Sequence, residues 1–304
     1  MNRRYFLTAA TSAAIALKAR AAAGQTFIAG VVPAGPGRSS GQASSSGNPA
    51  RTYWTNCDEV CGLGFHHIEI NNTRAGIAEL YSNRVPEFKD EMAKRQLTLA
   101  GLALFSHMAE SGERLDLIEH RMLLGRFLAA VSGKYITHML APETALNEPA
   151  DEEAYRHVDL KVWAVNGNEV GKRMLNEYGV VLAYHPERGE LRTGLHERIL
   201  AATDERYVGF LPDTGHIASG GGDAAAVCRQ YRSRLAGVHL KDFRPDRGQP
   251  VKAGNAMLGE GIVNFGAVID VLRNTNFTGY VMSESGGTNR VMRDYMAETL
   301  KLTI

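Results

Sequence analysis

Short apolar runs alternate with longer stretches of helical periodicity along most of the chain. The apolar runs have the length of a buried strand, and the stretches between them have the helical repeat of apolar positions. Strands are predicted over residues 27–32, 66–70, 98–105, 135–140, 180–184, 207–211, 237–240 and 280–283. Among the helices predicted between them are residues 114–132, 152–177, 223–235 and 265–274.

This alternation is typical of a parallel sheet wrapped by helices. Eight strands favour the α/β class and a (β/α)8 TIM barrel in a single domain, although a doubly wound open sheet would give a similar pattern. A Gly-, Ser- and Pro-rich stretch over residues 33–50 is interpreted as a long loop. We therefore assign residues 24–52 to the first strand and this loop, and residues 53–304 to the rest of the barrel.

The first 23 residues differ from the rest of the chain. Arg3 and Arg4 precede a Tyr-Phe-Leu sequence, an apolar run over residues 9–17 and small residues ending at Ala23. This is the pattern of a cleavable signal, too short to span a bilayer stably. The paired arginines resemble the twin-arginine export signal. We predict a signal peptide over residues 1–23 and a periplasmic or secreted mature protein with no membrane contact after cleavage.

Composition and charge restrict the function classes. With 44% hydrophobic residues in 304, the chain can bury a large core. Its net charge is +1 and no basic stripe is present, so we expect no nucleic-acid partner. Cys57, Cys61 and Cys228 cannot form a disulfide framework, and we interpret them as small buried side chains. A C-x3-C metal or redox site is the alternative.

Histidines and carboxylates stand at the ends of successive predicted strands. In a TIM barrel these ends converge on one face, where the loops build the active site. Asp213, His239 and Glu284 follow or end the sixth, seventh and eighth strands, and His185 follows the fifth. Such a set of oxygen and imidazole ligands suits one divalent ion, Mn, Co, Mg, Fe or Zn, with open positions for a substrate. The four residues are therefore predicted metal ligands.

Each of these residues also has a purely structural interpretation. Asp213 could cap the following helix, His239 could be a satisfied core histidine, and Glu284 could be a solvated loop carboxylate. Their joint occurrence at consecutive strand ends favours the metal site.

Catalytic and substrate-binding candidates surround the predicted ligands. Glu284 is the candidate base as well as a ligand, and His216 and Lys241 are candidate proton-transfer or hydrogen-bond partners of the substrate. The alternative for Lys241 is an ion pair with Asp242. The candidate substrate-binding residues are Glu69, His67, His107 and Glu187.

Several segments resemble motifs of the xylose-isomerase-like sugar phosphate isomerase/epimerase family, which includes ketose 3-epimerases, hydroxypyruvate isomerase and inosose dehydratase. The segments are residues 62–69 (GLGFHHIE), 211–216 (LPDTGH), 237–242 (GVHLKD), 258–265 (LGEGIVNF) and 278–284 (TGYVMSE). The resemblance runs from about residue 53 onward. Together the motifs are specific for the family and not for a substrate.

The resemblance implies a metal site made of an acid after strand five, the Asp of D-T-G-H, the His of H-x-K-D and the Glu after strand eight. The last three map onto Asp213, His239 and Glu284. This chain has His185 in place of the strand-five acid, with Glu187 and Glu190 nearby as substitutes. Because the family's epimerases use the two strand-end carboxylates as opposed acid and base, His185 disfavours simple two-base epimerisation. Dehydratase-like relatives show Tyr-His at this point.

The implied function is a metal-dependent sugar or polyol isomerase or epimerase that abstracts a proton next to a carbonyl through a metal-stabilised enediolate. Alternatives are a dehydratase or lyase that acts on an inosose or 3-keto-sugar by β-elimination, and a non-catalytic periplasmic sugar-binding barrel. The sequence shows neither an Arg cluster nor a Gly-rich phosphate loop, so an unphosphorylated sugar or polyol is the expected partner. A homo-oligomer is compatible with the sequence.

Overall fold

The computed structural model describes residues 25–33, 49–71, 76–105, 114–139, 155, 159–245, 256–284 and 289–304. Within them, eight parallel strands lie side by side in the order β6-β5-β4-β3-β2-β1-β8-β7. They are β1 (Ile28–Val31), β2 (His67–Asn71), β3 (Thr98–Phe105), β4 (Tyr135–Met139), β5 (Val181–His185), β6 (Val208–Phe210), β7 (Gly237–Leu240) and β8 (Tyr280–Ser283). Parallel bridges between Phe210 and Leu235 and between Asp213 and His239 join β6 to β7. The nearly closed ring confirms the predicted single-domain TIM barrel and excludes the open sheet.

Helices pack around the outside of the strands. In the described part of the chain they are α1 (Pro49–Gly62), α2 (Ile77–Tyr81), α3 (Val85–Lys94), α4 (Arg114–Ala130), α5 (Leu160–Tyr178), α6 (Arg188–Arg192), α7 (Leu195–Ala202), α8 (Thr214–Ser219), α9 (Ala224–Gln230), α10 (Phe265–Asn274) and α11 (Arg290–Asp294). The main core lies between strands and helices, and a smaller cluster that includes Tyr135, Ala183 and Met282 fills the barrel interior. None of the described helices has the length and apolar character of a membrane span.

The first and last strands of the chain are neighbours. β1 pairs with β8 over its whole length, from Ile28 opposite Tyr280 to Val31 opposite Ser283. Beside this pair, the buried Gln25 side chain accepts a hydrogen bond from the Thr303 N–H at 2.9 Å and donates one to the Thr303 carbonyl at 3.3 Å. The two ends of the described fold are thus held together at one place.

The described strand ends differ from the predicted ones by one residue at most. The helices were predicted less well. The helix predicted from residue 152 begins at Leu160, because the Asp159 carboxylate accepts the N–H groups of Lys161 and Val162 and caps it there. The helix predicted over residues 223–235 ends at Gln230, and a 3₁₀ turn follows.

Near the N-terminus, α1 begins at Pro49, so it crosses the boundary predicted at residue 52. The rest of the predicted loop, residues 34–48, and the predicted signal peptide lie outside the described residues. Cys57 and Cys61 lie one helical turn apart on α1, and Cys57 and Cys228 are buried free thiols. This fits the interpretation of Cys57 and Cys228 as core side chains, whereas Cys61 is only partly buried against the core.

Candidate active site and metal centre

The four side chains predicted as metal ligands converge at the carboxyl ends of β5 to β8. His185 ends β5, Asp213 follows β6, His239 lies within β7, and Glu284 directly follows β8. One nitrogen or oxygen atom from each lies within 4.8 Å of the corresponding atom of the other three. The barrel thus gathers residues that are far apart in sequence.

His239 lies at the centre of this cluster. Its Nδ1 is 3.2 Å from His185 Nε2 and 3.1 Å from Glu284 Oε2. Asp213 Oδ2 lies 3.9 Å from His185 Nε2. The two histidines and Asp213 are buried, whereas the Glu284 side chain keeps 10% of its surface exposed. A small molecule would therefore approach the cluster on the Glu284 side.

Asp213 caps a helix and also faces the cluster, so its two interpretations are compatible. Its Oδ1 accepts the N–H groups of Gly215 at 2.8 Å and His216 at 3.0 Å, which caps α8. Its Oδ2 faces the cluster. The cap therefore fixes the carboxylate in the orientation that presents Oδ2 to an ion.

Thr214 and Gly215 align this segment with β7. The Thr214 hydroxyl donates to the Lys241 carbonyl at 2.7 Å and accepts the Lys241 N–H at 2.9 Å. A Cβ at position 215 would lie 2.9 Å from Cγ of Lys241, so glycine permits the close approach. The D-T-G-H motif thus positions Asp213 beside His239.

Lys241 contacts the cluster directly. Its Nζ is 2.9 Å from Asp213 Oδ2 and 3.1 Å from Glu284 Oε2. Burial lowers the pKa of Lys241, but Asp213 and Glu284 outweigh burial and raise it, so the ammonium stays protonated. The alternative pair with Asp242 is wrong, because the Asp242 carboxylate accepts four backbone N–H groups, those of Phe243, Gly259, Gly261 and Val263.

His216 links Lys241 to a further carboxylate. Its Nδ1 is 3.2 Å from Glu187 Oε2, and its Nε2 is 3.2 Å from Lys241 Nζ. Glu187 immediately precedes α6, and His216 lies on α8. Glu187, a predicted substrate-binding residue, therefore lies beside His216 at the edge of the cluster, where both side chains keep 12% of their surface exposed.

The charge states of the cluster suit metal ligands. Burial lowers the pKa of His185 well below its usual value, so its imidazole is neutral. Burial raises the pKa of Asp213, but His216 and Lys241 outweigh it and bring it to about 2. For His239, burial lowers the pKa, but Glu69 and Glu284 outweigh it and raise it to about 10. A bound ion would displace that proton, since a ligating histidine must be neutral.

The donor set fits a divalent ion. Two imidazole nitrogens and two carboxylate oxygens face one point, and the nitrogens of His185 and His239, 3.2 Å apart, can share one proton at most. A mixed N and O set suits Mn, Fe, Co or Zn. These four residues would hold the ion.

Two of the predicted substrate-binding residues lie elsewhere. Glu69 is fully buried and contacts Nε2 of His239 at 3.0 Å, on the side of the ring away from the cluster, so its assignment to the substrate is corrected. His67 is the first residue of β2 and contacts Thr98 at the start of β3, at the end of the barrel opposite the cluster. His107 lies outside the described residues.

A family model described as xylose isomerase-like TIM barrel matches residues 57–301. The chain belongs to this family. One xylose isomerase-like relative is an inosose dehydratase from Clostridium botulinum, 25% identical over 258 residues, which cover 77% of this chain and 82% of the relative.

Solved structures share the xylose isomerase-like fold. A 3-keto-D-glucoside 4-epimerase from E. coli has a TM-score of 0.58 at 19% identity, with 90% of this chain and 99% of that chain covered. A probable 3-DHS dehydratase from Bacillus anthracis has a TM-score of 0.62 at 15% identity, with the same coverage. These likenesses show the fold, and the relatives are enzymes that act on small sugar-like molecules.

Proposed function

We propose that this chain is a lyase that removes water, or an alcohol, from an unphosphorylated keto-polyol or keto-sugar by β-elimination. The observation that carries the proposal is that the candidate base, Glu284, and the candidate acids lie in one contiguous cluster. Lys241 Nζ is 3.1 Å from Glu284 Oε2 and 3.2 Å from His216 Nε2.

This arrangement favours elimination over epimerisation. Epimerisation by two bases needs an acid and a base on opposite faces of the reacting carbon, and the strand-five position that would carry the second carboxylate holds His185, which is buried in the ligand cluster. Elimination needs a base for the proton next to the carbonyl and an acid for the hydroxyl on the next carbon. Glu284 and Lys241, as neighbours, suit the removal of both groups from the same side.

Each residue then has a defined task. A divalent ion held by His185, Asp213, His239 and Glu284 would supply Lewis acidity toward the carbonyl. Glu284 takes the proton from the carbon next to the substrate carbonyl. Lys241, protonated and next to Glu284, donates a hydrogen bond or a proton to the leaving oxygen, and His216, which lies beside Glu187, completes the donor set.

The curated relative named an inosose dehydratase supports an inosose as the first substrate to try. A sugar epimerase is the second candidate, because Glu187 lies two residues after His185 and places a carboxylate on the β5 side of the cluster.

The test uses the metal-loaded protein with an inosose or a 3-keto-glycoside in heavy water. We expect a dehydrated or cleaved product, identified by NMR, and solvent deuterium at the carbon beside the carbonyl. Glu284→Gln should lower kcat by more than the about 10²–10⁴-fold typical of losing a general base, because the ion is also weakened, and should abolish the exchange.

Glu187→Gln is the matched control, since it removes a neighbouring carboxylate. Under the lyase proposal it lowers kcat less than Glu284→Gln does. An epimer as the sole product, with loss of activity in Glu187→Gln, would favour the second candidate. A metal-loaded wild type that exchanges no hydrogen with any of these substrates would favour the sugar-binding barrel.

We also propose that the mature protein acts outside the cytoplasm. The support is the sequence alone: Arg3 and Arg4, the short apolar run and the small residues before Gly24.

A further inference from the structure

Three buried side chains form a line that reaches the ligand cluster from the Nε2 side of the His239 ring. Glu69 Oε2 accepts a hydrogen bond from the Tyr135 hydroxyl and lies 3.0 Å from His239 Nε2. Each side chain comes from a different strand: Glu69 from β2, Tyr135 from β4 and His239 from β7. All three are at most 1% exposed.

The two ring nitrogens of His239 have different neighbours. Nδ1 faces His185 and Glu284 in the cluster, whereas Nε2 faces Glu69. A carboxylate oxygen accepts hydrogen bonds and does not donate them, so Glu69 keeps a proton on Nε2. When the ring carries one proton, Nδ1 is then left with a lone pair for the ion.

Tyr135 fixes the carboxylate in turn. Glu69 and Tyr135 are both in register with Gly101 of β3, which lies between them. A Cβ at position 101 would lie 2.5 Å from the Tyr135 ring, so the absence of a side chain there lets the ring lie across β3 and reach Glu69. Burial raises the pKa of Tyr135 well above its usual value, so its hydroxyl remains a donor.

A structural role alone does not explain this arrangement. Burying a carboxylate is costly unless it is paired, and Glu69 Oε1 has no hydrogen-bond partner. Both contacts of Glu69 are made by Oε2, the oxygen that faces His239. The carboxylate is therefore placed to act on the imidazole.

We propose that Glu69 and Tyr135 are positioning residues of the metal centre, which set its affinity for a divalent cation through His239 and do not contact substrate. Tyr135 holds Glu69, and Glu69 fixes the tautomer and the ring orientation of His239. This inference rests on the ligand set assigned in the proposed function, but not on the reaction.

The test measures binding of Co²⁺ alone, since its visible absorption reports both occupancy and ligand geometry. We compare the dissociation constants of the wild type, Glu69→Gln, Tyr135→Phe and the double variant. Glu69→Gln should weaken Co²⁺ binding by about 10–100-fold, and Tyr135→Phe should weaken it less. The double variant should be no weaker than Glu69→Gln, because Tyr135 acts through Glu69.

Glu190→Gln is the matched control. Glu190 is also fully buried and also accepts a hydrogen bond from a tyrosine, Tyr184, but it contacts none of the four ligands in the described structure. Its dissociation constant should stay within about twofold of the wild type, since only groups that contact a ligand tune the ion.

A Glu69→Gln constant equal to that of the wild type would overturn the inference, and an effect of Tyr135→Phe that persists fully in the Glu69→Gln background would overturn the order of action. If Glu69→Gln does not fold, the inference is tested by Tyr135→Phe alone, which should still weaken Co²⁺ binding. Because no substrate is used, failure of the lyase assay leaves this result standing, whereas a wild type that binds no Co²⁺ overturns the ligand set itself.

Discussion

Two fully buried glutamates, Glu69 and Glu190, each accept a hydrogen bond from a tyrosine hydroxyl, yet their surroundings differ. Glu69 has the His239 imidazole as a second partner. Glu190 lies beside Tyr184, whose ring packs against Trp163 of α5 outside the strands. Burial raises the pKa of Glu190 well above its ordinary value of 4.5. The folded protein therefore favours the protonated form of Glu190 more than the unfolded chain does.

This shift predicts a pH dependence of stability. The folded protein keeps a proton on Glu190 that the unfolded chain releases, so the free energy of unfolding falls as the pH rises above 4.5. Glu190→Gln removes this titrating group. As the pH rises above 4.5, the free energy of unfolding of the variant should therefore increase relative to that of the wild type by up to about 1.4 kcal/mol per pH unit. Urea unfolding of both proteins at about pH 5 and about pH 8, with a chelator present, measures the difference. An equal difference at both pH values would contradict it.

The sequence predicts which residues gather at the site better than it predicts what each one contacts. The alternation of strands and helices predicts a barrel, and the carboxyl ends of its strands share one face. This places four residues together: His185, Asp213, His239 and Glu284. The depth of a side chain along the barrel axis has no such signal. Glu69 therefore looked like a pocket residue, and no signal in the sequence singled out Tyr135, an aromatic residue at the start of a strand.

At the scale of elements, one side chain makes three of the contacts that join the segment before α10 to the end of β7. The Asp242 carboxylate accepts the N–H groups of Phe243 and Val263 with Oδ1 and those of Gly259 and Gly261 with Oδ2. It therefore ties the segment before α10 to the end of β7. The neighbouring Lys241 is held at the cluster by the same short stretch of chain.

Asp242→Asn should destabilise the protein by about 2–4 kcal/mol, because an amide has one accepting oxygen and leaves two of the four N–H groups, which are buried or partly buried, facing its own NH₂. Asp223→Ala is the control. Asp223 caps α9 through the N–H groups of Ala225 and Ala226, and its loss should cost about 1 kcal/mol. Urea unfolding compares the two, and an Asp242→Asn protein as stable as Asp223→Ala would refute this account of the segment.

Caps also explain where the prediction of elements failed. The apolar runs of buried strands have sharp ends, so the strand bounds could be predicted from the sequence. The helix predicted from residue 152 was too long because an Asp inside a periodic stretch, Asp159, stops the helix by binding its first N–H groups. Periodicity does not show that competition between side chain and backbone.

At the scale of the whole molecule, the clearest prediction concerns export. If Arg3 and Arg4 form a twin-arginine signal, changing both to Lys should leave precursor in the cytoplasm, because Lys does not present the paired guanidinium groups. The control is Arg20→Lys, which keeps the pair and should export normally. Cell fractionation with N-terminal sequencing of the extracytoplasmic protein measures the outcome, and exported protein that retains residues 1–23 would contradict the signal.

The pairing of β1 with β8 fixes when the barrel can close during synthesis. The ribosome releases β1 long before the partner of its outer edge, β8, and before the backbone of Thr303 that Gln25 contacts. Contacts so distant in sequence form late, since a loop of nearly the whole chain must be closed first. A nascent chain therefore carries open strand edges on β1 and β7, the surfaces that holdase chaperones bind, until β8 has been synthesised. Closure of this seam is then the event that separates a complete barrel from a truncated one.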